Sequence, residues 1–327
     1  MGTRVDCLGI IVKIIIDYKI CIIYQSRIVY TRRRFITKGE GMKTILWNII
    51  LFLRRTVLGE AIADALIESK LCKKYNDREY KKDQKCPTEE MKSAQVFFAR
   101  NENRVKNMCD RLSDEKSREI FMKAVEYRQT HDISKRPEYS RKDQYFPKDI
   151  VMLTDSEVFV DCGAYNGDSI RAFLRYSNRK FQKIIAFEGD DKNCRSIRKM
   201  VKEEIVIKNC VVWNEDTYIS FEGGKGSSSK INENAGECVK ACKIDSVSDC
   251  QHATFVKMDI EGGEYNALLG AYSTIVRKRP KLAICIYHSD EDMLRIFELI
   301  NSWKLDYKFY VRHHAQKVAE TVLYAMP

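Results

Sequence analysis

Residues 157–168, Glu-Val-Phe-Val-Asp-Cys-Gly-Ala-Tyr-Asn-Gly-Asp, constrain the fold more than any other stretch of this 327-residue chain. Val158, Phe159 and Val160 form a short apolar run. Asp161 and Gly163 then arrive where a strand must stop and its backbone turn sharply, a task suited to glycine. Gly167 opens a segment in which Ile170, Phe173 and Leu174 share one helical face. Strand, glycine turn and helix together form a nucleotide cradle. A dinucleotide fingerprint, Gly-x-Gly-x-x-Gly, needs a glycine where Tyr165 stands. Asp161 and Asp168 would repel a diphosphate and suit a cation.

From residue 151 onward strands and helices alternate, which argues a parallel sheet covered on both faces. The expected strands after the first are 183–187, 205–213, 254–258 and 281–287, with helices near 191–203, 264–275 and 290–302. Tyr218–Phe221 and Cys238–Ile244 alternate around the glycine- and serine-rich turn 223–229 and read as a small β insertion. Tyr307–Arg312 and Thr321–Met326 are too close for a parallel crossover and predict an antiparallel hairpin. The fold class is therefore α/β, a Rossmann-like doubly wound sheet with a terminal antiparallel hairpin, as in class I methyltransferases.

The net charge of +11 is not spread evenly. Residues 1–41 carry 8 Lys+Arg against 3 Asp+Glu, whereas residues 151–327 carry 25 of each. A neutral sheet domain gives no support to a nucleic-acid groove, which relies on clustered Lys and Arg. Twelve cysteines without a Cys-x-x-Cys pair read as free thiols in a reducing cytoplasm. Cys238, Cys242, Cys250 and His252 match no compact zinc module.

The N-terminal part divides differently. Residues 8–23 are apolar but broken by Lys13, Asp17 and Lys19, so no run reaches the roughly 20 residues of a membrane span. Lys38-Gly-Glu-Gly precedes Met42 and its codons are purine-rich, which makes 1–41 an expected non-native extension or disordered segment, with translation starting at Met42. Residues 44–55 are apolar between positive ends and suit peripheral membrane contact or helix packing. Helical spacing recurs at 60–75 and 114–128, while the charged stretch 73–90 reads as a loop. A helical accessory region is thus expected over 42–143, and the sheet domain over 144–327.

Glu188 ends the second strand, where a doubly wound site places a carboxylate on ribose hydroxyls. Asp259 and His288 end the fourth and fifth strands on the same edge. The motifs Phe159-Val-Asp-Cys-Gly-Ala-Tyr-Asn-Gly-Asp168, Ala186-Phe-Glu-Gly-Asp190, Val256-Lys-Met-Asp-Ile-Glu-Gly-Gly-Glu264, Pro280-Lys-Leu-Ala-Ile-Cys-Ile-Tyr-His288 and Glu320-Thr-Val-Leu-Tyr-Ala325 resemble the FkbM family of S-adenosylmethionine-dependent methyltransferases over about 144–327. The usual Glu-Pro-Asp of that family is Glu188-Gly189-Asp190 here, and its Glu-Gly-Ala-Glu is Glu261-Gly262-Gly263-Glu264.

The resemblance implies O-methylation of a sugar, glycan or secondary-metabolite hydroxyl, with S-adenosyl-L-methionine as the cofactor. It implies that Asp161, Gly163, Ala164, Tyr165, Gly167 and Asp168 surround the methionine end, with Glu188 on the ribose and Gly189 and Asp190 near the adenosine; Ser227–Ser229 matches a serine-rich stretch of the family. His288 is the expected general base, mostly neutral near pH 7, and Asp259 its orienting partner, with no metal required. A nicotinamide oxidoreductase and a non-catalytic scaffold on the same fold are the alternatives.

Overall fold

The computed structural model describes residues 22–24, 27–29, 88–141, 143–201, 205–222, 230–231 and 238–327. Met42, the apolar segment 44–55, the helical spacing at 60–75 and the Ser227–Ser229 turn lie outside the described residues. The chain divides into two compact units, Met1–Ser69 and Lys70–Pro327. In the first, β1 (Ile22–Tyr24) pairs antiparallel with β2 (Arg27–Val29).

The second unit begins with helices. Thr88 caps α1 (Glu89–Arg100) by accepting the Met91 amide at 3.2 Å, so a helix begins at Glu89, within the stretch 73–90 expected to be a loop. The helices α2 (Glu102–Arg111) and α3 (Glu115–Thr130) follow. The charged sequences of α1 and α2, with only Val105 and Met108 buried in α2, hide the helical period from a sequence reading, whereas α3 is the helix expected over 114–128.

The seven-stranded sheet is ordered β12-β13-β11-β10-β3-β4-β5. Its members are β3 (Val158–Cys162), β4 (Lys183–Phe187), β5 (Val206–Lys208), β10 (Phe255–Met258), β11 (Lys281–Cys285), β12 (Lys308–His313) and β13 (Thr321–Met326). The strands β11, β10, β3, β4 and β5 run parallel, and β13 lies antiparallel to both β11 and β12. This is the expected doubly wound sheet with its terminal hairpin. Five helices, α4 (Asp168–Tyr176), α5 (Asp191–Met200), the pair α6 (Glu264–Leu269) and α7 (Tyr272–Lys278), and α8 (Asp292–Ser302), supply the crossovers and covering layers.

Because side chains alternate along a strand, β3 sends Val158, Val160 and Cys162 into one core and Phe159 into the other. In the second core Phe159 stacks on Phe173 of α4 at 4.5 Å, and Phe146 packs edge-on against Phe159 and Phe255. In the first, α3 lies along β12: Ser117 accepts the Val311 amide at 2.9 Å. Arg312 of β12 donates to both Ser117 and Asp114. The helices before the sheet are therefore joined to it by buried polar bonds as well as apolar contact.

Two expected elements are broken. The strand expected over 205–213 is β5 plus β6 (Val211–Val212), and β6 belongs to a second sheet ordered β6-β9-β7-β8, with β7 (Thr217–Glu222), β8 (Lys230–Ile231) and β9 (Cys238–Cys242). The helix expected over 264–275 divides at Gly270. A Cβ there would stand 1.9 Å from the Trp213 carbonyl oxygen, so the chain turns at the one residue that lets β6 approach. Among the described residues no helix is long and apolar enough to cross a membrane.

Candidate functional site

The order β10-β3-β4 places the topological switch at β3, and the carboxyl ends of β3, β4, β10 and β11 meet on one edge. The hairpin adds the start of β13 to that edge. Gly163, at φ 78°, carries the chain out of β3, and a Cβ there would stand 2.0 Å from the Asp259 carbonyl oxygen. A glycine is thus demanded here by the neighbouring strand end. The Gly163 and Ala164 amides both donate to the Phe187 carbonyl at 3.0 Å, which binds the turn to the end of β4.

On the β3–β4 side, carboxylates are satisfied mainly by backbone amides. Glu188 accepts from the Tyr165 amide and the Asp190 amide, each at 2.8 Å, and from the Asn193 side chain at 3.3 Å. Burial raises its carboxyl above the ordinary value despite those bonds. Asp190 caps α5 by accepting the Lys192 amide, and the Gly189 carbonyl accepts from Asn209. At Gly167, also φ 78°, α4 begins, and Asp168 turns its carboxylate onto the Ser169 amide at 2.8 Å. A carboxylate seated on a helix N-terminus occupies the place a diphosphate would take.

Asp161 is fully buried behind the turn. Ser169 donates to one carboxylate oxygen, and Lys257 lies 3.1 Å from the other. Lys257 also donates to the Gly163 carbonyl at 2.8 Å, so one buried ammonium ties β10 to the glycine turn. Burial would discharge it, but Asp161 and Asp259 hold it protonated.

On the β10–β11 side, side chain meets side chain. Asp259 accepts from the Tyr145 hydroxyl at 2.7 Å and the Tyr287 hydroxyl at 3.0 Å, and lies 3.2 Å from His288 Nε2. Glu264 Oε1 stands 3.1 Å from the same nitrogen, while its carboxylate also takes the Ile260 and Gly262 amides. Glu261 faces the other ring nitrogen at 3.7 Å.

This arrangement changes the expected state of His288. Burial alone would lower its pKa, but the hydrogen bonds to Asp259 and Glu264 outweigh burial and push it up to about 11. The ring is an imidazolium near pH 7, not the neutral base expected from an isolated histidine. Asp259, which burial would raise, is held well below the usual carboxylate range by His288 and Lys257. Ligand atoms of Asp259, Glu264 and His288 lie within 4.8 Å of one another, a spacing that could serve a cation. A protonated ring between carboxylates satisfies the same atoms. The Cys238, Cys242, Cys250 and His252 set forms no such group among the described residues, and Cys242 instead faces Cys210 at 2.9 Å.

All eleven site residues named from the sequence lie on this edge, with Asp161 set behind it. His313, at the end of β12, is buried, with its ring against the Thr321 hydroxyl at 2.9 Å. The sequence reading missed Tyr145, Gln144, Lys257, Glu264 and Glu320. Gln144 donates to Glu320 at 2.5 Å and to the Tyr145 hydroxyl at 3.0 Å, linking Glu320 to Asp259 through Tyr145. Of these Lys257, a charge inside an apolar strand, and Glu264 and Glu320, each within a quoted motif, carried a signal in the sequence, whereas Gln144 and Tyr145 did not. Tyr145, Tyr165, Glu261 and Glu320 all have φ between 45° and 67°, whereas the other positive-φ non-glycine residues follow helix ends. Such conformations cost of order 1–3 kcal/mol each and gather at functional sites.

Residues 161–309 match the family model described as the methyltransferase FkbM domain. Among solved structures the chain is similar to a methyltransferase FkbM from Methylobacillus flagellatus KT, with 26% identity over 70% of this chain and 60% of that one and a TM-score of 0.63. The chain thus spans less than two thirds of that protein's length. Lower likeness is found to an rRNA methylase from Streptococcus thermophilus, with 14% identity, 53% and 87% coverage and a TM-score of 0.34. A fibrillarin from Aeropyrum pernix in complex with S-adenosyl-L-methionine is comparable, with 11% identity, 55% and 71% coverage and a TM-score of 0.34. No curated protein matches the chain. The motifs of the glycine turn, the Glu188 corner and the Asp259 strand end all lie inside the span, residues 161–309, that matches the FkbM methyltransferase domain.

Proposed function

We propose that the protein is an S-adenosylmethionine-dependent O-methyltransferase acting on a hydroxyl of a sugar, glycan or secondary metabolite. The observation that carries this reading is the seating of Glu188 beside a glycine turn whose helix begins with a carboxylate, next to the polar cluster around Asp259. A partly satisfied carboxylate fits a ribose diol, and the Asp168 carboxylate at the helix start fits a cationic ligand and opposes a diphosphate. When bound, the cofactor supplies an electrophilic methyl group on a sulfonium.

Glu188 would hold the ribose, Gly189 and Asp190 would flank the adenosine, and residues 163–168 would line the methionine end with Asp161 bracing them from behind. Asp259 and His288 would orient the acceptor, the imidazolium serving as a fixed cation among three carboxylates. Holding the reacting atoms in line can supply roughly 7–11 kcal/mol of the acceleration. The helices before residue 144 would act as an accessory region bracing the acceptor side. There Arg128 of α3 donates to Asp290 at 2.7 Å and to the Tyr287 carbonyl at 2.9 Å.

Calorimetric titration with S-adenosylmethionine and with NADH tests the cofactor: binding of the first and not the second is expected. Transfer of a labelled methyl group into a cell extract tests the reaction. Cofactor binding without any transfer would favour a non-catalytic scaffold.

A further inference from the structure

With His288 protonated, the site lacks the base that sequence reasoning assigned to it. The geometry points to Glu320 as the group that takes the proton of the methyl acceptor, a role that rests on the methyltransferase reading above. Glu320 is the residue just before β13. Antiparallel pairing of β11 with β13 continues past the strand as the Ile286 amide donates to the Thr321 carbonyl at 3.0 Å, which brings residue 320 level with Tyr287. Its backbone is held at φ 66°, a conformation that turns the side chain out of the strand alternation.

The other carboxylates at this edge are engaged. Asp259 takes two tyrosine hydroxyls and the imidazolium, Glu264 takes two amides and the same ring, and Glu188 takes two amides. Among the described residues the Glu320 carboxylate accepts one hydrogen bond, from Gln144, and the residue is only partly buried. Gln144 uses its two amide protons on Glu320 and the Tyr145 hydroxyl, and Tyr145 gives its own proton to Asp259. The donors along this chain are thus committed, and an open lone pair is left at Glu320.

The surroundings support the assignment. Burial, then the negative charge of Asp259, raise Glu320 to about 7, against the opposing pull of Gln144, His288 and Arg141. The hydroxyls of Tyr145 and Tyr287 and the Cys285 thiol face the same group. A carboxylate that titrates near the working pH is suited to proton transfer. In the step, the acceptor oxygen forms a bond to the methyl carbon and the carbon–sulfur bond breaks, its electron pair going to sulfur. The hydroxyl proton passes to Glu320. One positive and one negative charge are lost together, leaving a thioether and a carboxylic acid.

The full chain and its Glu320→Gln and Glu320→Asp variants decide the matter. An acid with a raised pKa favours the fold below its ordinary value of about 4.5 and disfavours it as pH rises through the folded value. Glu320→Gln should therefore melt higher than the unaltered chain at pH 8 and together with it near pH 4. With labelled S-adenosylmethionine and the cell extract as acceptor source, Glu320→Gln should lose transfer by at least about 10²-fold and lose the rise in rate around pH 7, while Glu320→Asp restores part of both. Calorimetric affinity for S-adenosylmethionine should stay within about twofold. Equal melting at both pH values, or a variant that keeps its rate and its pH profile, overturns the assignment. Failure of the unaltered chain to bind S-adenosylmethionine instead overturns the methyltransferase reading, and the proton-acceptor role with it, whatever the melting curves show.

Discussion

The β3–β4 half of the site draws its polar groups from residues 161–193 and spends most of them on backbone amides. The half around Asp259 draws on residues 144–145, 257–264, 287–288 and 320 and joins side chain to side chain. The first half is local: Glu188 holds a turn 23 residues away and its own following residues. The second exists only when four distant segments meet, and the charges it contains are set by one another. Its residue states therefore cannot be assigned one at a time, as the histidine shows. Lys257 joins the halves, reaching Asp161 on one side and sharing the field of Asp259 on the other.

If the two halves are coupled through that ammonium, Lys257→Met should be the most damaging single change. It leaves the Asp161 carboxylate buried without its counter-charge, at an expected cost of about 3–5 kcal/mol in urea unfolding. A loss below about 1 kcal/mol would mean that the halves are independent and Asp161 is relieved by protonation. Next in size, Glu188→Ala should weaken S-adenosylmethionine binding by about 1–3 kcal/mol, read by calorimetry, because ribose hydroxyls lose a charged acceptor. Unchanged affinity would remove the ribose assignment and with it the functional distinction between the halves.

A gentler probe uses pH on the side-chain cluster alone. The pKa of His288 is raised in the fold, so the stability it contributes is complete below its ordinary value of about 6.5 and is lost as pH rises towards about 11. The gap in melting temperature between the unaltered chain and His288→Gln should narrow steadily over that window. A constant gap would show that the ring is neutral throughout. Smallest of all should be the effect of EDTA on transfer, expected to be none. Lost activity that added divalent metal restores would give Asp259, Glu264 and His288 to a cation instead.

The elements themselves teach a related lesson about legibility. The strand of residues 158–162, its glycine turn and the helix face of Ile170, Phe173 and Leu174 are present as read, because each depends on neighbours within a few residues. The break at Gly270 and the division of 205–213 between two sheets were not legible. Both follow from the Trp213 carbonyl approaching Gly270, a contact between residues 57 positions apart. Helices α1 and α2 escaped notice because they are charged on most faces and bury only a few side chains each.

By itself the sequence determined the α/β class, the terminal hairpin, the edge at which the candidate residues gather and the motifs by which residues 161–309 match the FkbM domain, since hydrophobic period, turn glycines and motif order act over short distances. Only the tertiary structure decided that Gly163 must make room for the Asp259 carbonyl, and that His288 carries a proton among three carboxylates. It also decided that Glu320 sits level with Tyr287 across the β11–β13 pairing. Charge state and steric demand depend on what is packed within a few ångströms, and for these residues those neighbours come from distant parts of the chain.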